Sequence, residues 1–313
     1  MKILIDVDDL ERRGVLTPEL AATLRGSARR DAGSTAINLV LAFGAVAVAA
    51  GLLVLVQSMQ LAAALGLAFF AGGYSVAAAS PRRWEVLGRV WMAVGALALA
   101  GAVQALLGRP LLGSLVAAAI FILVALLARS HLLMALAPLA LAAAVGGSAG
   151  YGHAVYEIAV SEPTITIALF SALAFAAWRA ALAAPPRVSG LALTFARVSV
   201  VLVNFGFWVG SLWGDSPGRL WLRSGPAPWR EPQIPALVFA FGWALALIGA
   251  GAWGARNGRR FMVNAAAAFG AIGFYTQWFE RLGLDPVTVM GGGLAAIGAG
   301  YALWRYNARA AAA

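Results

Sequence analysis

The chain is built from apolar blocks about twenty residues long, separated by short breaks of charge, proline or glycine. The stretch PLLGSLVAAAIFILVALLA, residues 110 to 128, contains no charged side chain. An α-helix rises 1.5 Å per residue, so about twenty such residues cross a hydrocarbon layer of roughly 30 Å. Composition supports this reading. Hydrophobic residues make up 62% of the 313 and charged residues 12%, whereas a soluble domain carries about 25% charge. The fold class expected is an all-α membrane protein, a bundle of transmembrane helices whose backbone groups are satisfied internally.

Ten spans are predicted, at roughly 36 to 57, 60 to 80, 87 to 107, 111 to 128, 131 to 150, 163 to 183, 192 to 213, 235 to 255, 261 to 280 and 286 to 304. Lys and Arg in short loops gather on the cytoplasmic side. With the N-terminus inside, eighteen of the 23 basic residues fall there, and only Arg109, Arg219, Arg223, Arg230 and Arg281 fall outside. An extra or missing helix would invert every later loop, so count and orientation support each other, with both termini cytoplasmic. Tryptophans favour headgroup depth, and Trp84, Trp178, Trp213, Trp253, Trp278 and Trp304 all lie at predicted span ends.

Three regions follow: a cytoplasmic helical hairpin at 1–34, a ten-helix bundle at 35–305 and a tail at 306–313. No apolar run followed by a small-residue cleavage site opens the chain, so the block near residue 36 is expected to be an uncleaved span. In the hairpin, Thr17 is expected to cap a helix with Pro18 in its first position. The acidic first helix (Asp6, Asp8, Asp9, Glu11) and short length argue against a DNA-binding helix-turn-helix. Arg25, Arg29 and Arg30 suit anionic headgroups. The net charge of +10 is scattered over short loops, so no nucleic-acid partner is expected. Cysteine is absent, which excludes disulfides and thiolate chemistry.

Two external loops are expected, 146 to 162 and 214 to 234. In the first, His153 and Glu157 would share a face only if it were helical, and a metal would need a third ligand such as Glu162; a solvated loop is the simpler reading, and no metal or cofactor is expected. The second carries Trp221 and Trp229 among Arg219, Arg223 and Arg230, suited to the outer interface or to a lid. GAGAWG at 249–254 matches a dinucleotide pattern but lies in an apolar helix, where small residues serve close packing. The same reading covers Gly206 and Gly210, Gly146 and Gly150, and Gly291 to Gly293. Pro138 should kink its span.

No Asp, Glu, Lys or His falls near the middle of a span, which disfavours a proton relay. One ordered polar stripe stands out. Thr194, Arg197, Asn204 and Ser211 recur at three and seven residues and share one helix face. Either Asn204 and Ser211 bond to neighbouring helices while Arg197 reaches the headgroups, or the face lines a polar cavity where Arg197 receives an anionic group. The stretch YTQWFERLGLDP, residues 275 to 286, reads as an interfacial anchor with Asp285 capping the last helix; Glu280 and Asp285 are the candidate outer rim of a site.

DLERRGVLTPELAATL with the following FGAVAVAAGLLVLV, and the closing YTQWFERLGLDPVTVMGGGLAAIGAGYALWRYN, resemble an uncharacterised family of bacterial multi-pass inner-membrane proteins, catalogued as a domain of unknown function. The resemblance is confined to the two ends of the chain. It implies a bacterial inner-membrane location and a helical bundle, and brings no catalytic residue. The expected function is a non-enzymatic membrane component or scaffold with residues 1–34 open to a protein partner. The alternative is a secondary transporter for a neutral or anionic small molecule, since ten spans divide into five plus five.

Overall fold

The computed structural model describes residues 14–17, 19–20, 40, 43–44, 46–48, 51–52, 55, 58–79, 84–152, 155–218, 232–282 and 285–312. Among them run nine helices: α1 Met59–Ala79, α2 Glu85–Leu107, α3 Pro110–Ala128, α4 His131–Ala144, α5 Pro163–Ala183, α6 Pro186–Trp213, α7 Ala236–Arg256, α8 Arg260–Leu282 and α9 Pro286–Ala312. A hairpin of β1 Gly147–Gly152 and β2 Val155–Val160 lies between α4 and α5. Six helices, α1, α2, α3, α5, α6 and α7, are long and apolar enough to cross a membrane. The chain divides into two compact units, Met1–Leu133 and Met134–Ala313.

In the first unit, α1 and α2 pack backbone against backbone. Gly66 and Gly73 are seven residues apart on α1, as are Gly88 and Gly95 on α2, so each pair lies on one helix face. A Cβ on Gly95 would stand 2.5 Å from the Phe70 nitrogen, and one on Gly73 would stand 2.6 Å from the Gly88 carbonyl oxygen. No side chain fits there, which is how small residues bring helices together where lipid supplies no hydrophobic drive. Large residues such as Leu61, Leu67, Leu97 and Leu123 are exposed instead. Gly108, at φ +58°, closes α2 in the left-handed region, and Pro110 then opens α3. Arg129 adopts the same left-handed cap (φ +51°) after α3.

The second unit centres on α6, which packs against α5, α7 and α8. Ala142, Val145, Phe170 and Leu202 form a buried core where the end of α4 meets α5 and α6. Close packing at Gly206 and Gly210 is as expected: a Cβ on Gly210 would stand 2.5 Å from the Phe239 ring. GAGAWG lies inside α7, with Gly254 tight against Met262 and Gly249 open. Of the last glycine run, Gly291 and Gly292 touch Trp278 and Tyr275, while Gly293 meets nothing.

Several expectations need correction. The predicted span 131–150 is a helix of 14 residues, about 21 Å long and short of the roughly 30 Å hydrocarbon layer. Pro138 lies inside it, buried, and does not end it. Gly146 adopts φ +81° in the turn after α4 and Gly150 lies in strand β1, so this glycine pair serves a turn and a strand and not helix packing. The expected loop 146–162 is an antiparallel hairpin with Gly147 opposite Val160 and Tyr151 opposite Tyr156. Its second strand, VYEIAV, is rich in the β-branched and aromatic residues that favour strands. Strand geometry removes the helical face that His153 and Glu157 would have shared; His153 lies outside the described residues.

In the N-terminal segment, Thr17 Oγ1 accepts the Leu20 backbone N–H at 3.4 Å, the predicted cap. Arg25, Arg29 and Arg30, and Arg219 to Arg230 with Trp221 and Trp229, lie outside the described residues.

Candidate functional site

The polar stripe of α6 divides along its length. Asn204 is buried, and both ends of its amide are used: Nδ2 donates to the Val200 carbonyl at 2.8 Å, and Oδ1 accepts the Trp243 indole N–H at 2.8 Å. Trp243, on α7, is only 2% exposed, so this hydrogen bond joins α6 to α7 at a buried contact. One helical turn on, Trp208 Nε1 donates to Thr276 Oγ1 of α8 at 3.0 Å. Ser211 is buried; its hydroxyl donates to the Trp208 carbonyl at 2.8 Å, and its own carbonyl accepts from Gln277 Nε2 at 3.4 Å. The C-terminal half of the stripe therefore joins α6 to α7 and α8. Ser199 is wholly buried, and its hydroxyl has no hydrogen-bond partner.

The N-terminal half behaves differently. Thr194 is half-buried and donates to the Gly190 carbonyl of its own helix at 3.1 Å. Arg197 is exposed, not turned inward, and its guanidinium lies 5.3 Å from the centre of the Phe261 ring, a cation–π contact. A seven-residue spacing drifts about 20° per repeat around a straight α-helix. Arg197, Asn204 and Ser211 span two such repeats, about 40°, so what separates them is position along α6: Asn204 and Ser211 meet α7 and α8, and Arg197 lies over Phe261 at the start of α8. The four residues do not form one site.

Cavities border the helices of this unit. One, of about 640 Å³, runs between α7 and α8 past Trp243, Ala244, Ala266, Gly270 and Phe274, with walls almost entirely apolar. A second, about 470 Å³, lies at the end of the unit where α5 and α7 finish and α8 begins. Arg197, Arg259 and Arg260 line it with Trp178, Trp253 and Phe261. A third, of similar size, is bounded by β2 and the last turns of α6, at Ser161, Trp208 and Trp213. Asn204 lines none of the three.

At the opposite end of α5, two buried carboxylates form a clasp that sequence reasoning missed. Asp215 Oδ2 accepts the Thr164 backbone N–H at 2.8 Å, and Glu162 Oε2 accepts the Gly218 backbone N–H at 2.8 Å. Both acids sit at the start of α5, where the helix dipole and unpaired N–H groups favour negative charge. Glu162 immediately before Pro163, and Asp215 just after the glycine that ends α6, were the available signals. The bridge from Asp215 to Ile234 completes the attachment of this segment.

The stretch 275–286 is also structural. Tyr275 Oη donates to the Gly292 carbonyl at 2.8 Å, and Trp278 Nε1 donates to the Thr288 carbonyl at 3.0 Å, tying α8 to α9. Asp285 Oδ1 accepts the Val287 and Thr288 backbone N–H groups at 2.8 and 2.9 Å, the predicted cap of α9. Glu280 is exposed on α8, so the proposed rim pair has one member engaged in capping and the other in solvent. No group of three or more His, Asp or Glu able to hold a metal occurs among the described residues. No protein-family model matches the chain, nor does any curated protein or solved structure.

Proposed function

We propose that the protein is a multi-pass component of the bacterial inner membrane, a non-enzymatic helical scaffold with both termini cytoplasmic. The six apolar helices and the uneven distribution of arginine support membrane residence and orientation. Ten passages require the short α4 to cross with local thinning of the bilayer. Residues 1–34 are the segment available to a protein partner on the cytoplasmic side.

One observation carries the scaffold reading over transport: the Asn204 amide is spent on Trp243 and on its own helix. Transporter sites near mid-membrane instead offer unwound helices and polar groups to a substrate, whereas α6 is continuous from Pro186 to Trp213. The chain has no cysteine, so introduced thiols report without background. Ser199→Cys and Ser211→Cys, reconstituted in vesicles, are expected to resist a water-soluble alkylating reagent that modifies Gln233→Cys rapidly. Rapid modification at 199 or 211 would reveal a water path beside α6 and overturn the reading.

A further inference from the structure

The cavity at the junction of α5, α6, α7 and α8 has a composition that the scaffold reading leaves unused. Arg197 and Arg259 border it together with Arg260, and among the described lining residues there is no carboxylate. Its volume of about 470 Å³ falls within the range of roughly 300–1,000 Å³ typical of small-molecule sites. Arg197 and Arg259, two cations lining one cavity, favour an anion. Guanidinium groups suit phosphate in particular, because their planar N–H pairs meet two oxygens at once.

The walls add a second requirement. Trp178 and Trp253 meet edge to face at 5.9 Å, and Phe175 lies 5.8 Å from Trp178. Leu193 and Met262 continue the apolar lining. Phe175 is 61% exposed and Trp253 41% exposed, so the cavity opens sideways along apolar helix faces. An inorganic anion would satisfy the arginines and leave these walls unfilled. A molecule with an anionic head and a hydrocarbon tail satisfies both. Arg197, its guanidinium over the Phe261 ring, lines the cavity together with these aromatic residues.

We infer that this cavity binds an anionic membrane phospholipid, its phosphate held by Arg197 and Arg259 and one acyl chain lying against Phe175, Trp178 and Trp253. The inference rests on the proposed membrane location; basic pockets between membrane helices on the cytoplasmic side recognise anionic headgroups in this way.

The test uses the purified full-length chain in phosphatidylcholine nanodiscs, doped with chain-brominated phosphatidylglycerol or chain-brominated phosphatidylcholine. Bromine quenches nearby tryptophan, and subtracting the signal of the Trp178→Phe/Trp253→Phe variant isolates the cavity pair. Quenching by the anionic lipid should half-saturate at a mole fraction about thirty-fold lower than by the neutral lipid, the preference that two basic residues near the surface together supply. Arg197→Ala/Arg259→Ala should abolish that preference, and Arg197→Lys/Arg259→Lys should retain most of it. Arg187→Ala, exposed on α6 outside the cavity, should leave it unchanged.

Equal quenching by the two lipids in the unmodified chain would overturn the inference without reference to any variant. An equal loss with Arg187→Ala would reduce it to general surface charge. Displacement of the anionic lipid by inorganic phosphate, but not by chloride of matched ionic strength, would assign the cavity to a soluble anion instead. Membrane residence is read separately, by labelling in intact cells, so its failure and the failure of the lipid site are distinguishable.

Discussion

Replacing Asn204 and Trp243, singly and together, measures how dry the α6–α7 interface is. Both residues are buried, at 6% and 2% exposure, and their side chains meet at 2.8 Å. Asn204→Leu leaves the indole N–H buried without an acceptor, which costs about 1–3 kcal/mol. Trp243→Phe leaves the amide oxygen without a donor and adds a cavity term from the lost ring. In the double variant neither orphan remains, so its destabilisation should fall short of the sum of the singles. Hydrogen bonds between membrane helices average about 0.6 kcal/mol and reach about 1.7. Full burial of both partners puts this one at the upper end, with a coupling of about 1–1.5 kcal/mol, or roughly five- to ten-fold in the unfolding constant. Denaturant unfolding in micelles, followed by circular dichroism, reads the four proteins. A coupling below about 0.3 kcal/mol would show that water substitutes for the missing partner, and would refute the closed interface.

Asp215→Ala should destabilise the α5 end of the unit by about 2 kcal/mol, because a charged acceptor is lost at buried N–H groups. Asp215→Asn, which keeps an acceptor oxygen, should cost less, and hydrogen exchange at Thr164 should accelerate in that order. Gly95→Ala would place a methyl carbon 2.5 Å from the Phe70 nitrogen, forcing α1 and α2 apart by nearly 1 Å and forfeiting a quarter to a half of the contact energy along the seam. Its melting temperature should fall, while Gly101→Ala, which meets nothing within 4 Å, should be neutral or stabilising. Asp285→Ala should cost about 1 kcal/mol by uncapping α9, with early exchange at Val287 and Thr288; unchanged exchange there would contradict the cap.

The helices were legible because apolar length and local punctuation suffice to place them. Pro110, Pro163 and Pro286 open helices, and Gly108 and Gly258 follow helices with positive φ. The cap by Asp285 and the packing at Gly206 and Gly210 were also readable, since each is a local rule. The hairpin at 147–160 was not: its first strand, GSAGYG, carries little strand propensity, and pairing with VYEIAV supplies the missing stabilisation from outside the segment. The glycine seam of α1 and α2 needed the knowledge that Gly66 meets Gly95 and Gly73 meets Gly88, a pairing that no single helix announces. The α6 stripe was legible as a spacing but not as a site, because spacing fixes a helix face but not which neighbour meets each turn of it. The clasp of Glu162 and Asp215 joins positions about fifty residues apart, and only tertiary structure brings such acids together.

Helix α7 bears most directly on the membrane account, since Gln233 precedes it and Asn257 follows it, both exposed. Single-cysteine variants at these two positions, in bacterial cells expressing the full chain, can be treated with a membrane-impermeant maleimide before and after permeabilisation. The account predicts that Gln233→Cys reacts in intact cells and that Asn257→Cys, beside Arg259 and Arg260, reacts only once the membrane is opened. Reaction of both from the same side would mean that α7 does not cross, and the reverse pattern would place the arginines outside; either result contradicts the arrangement proposed.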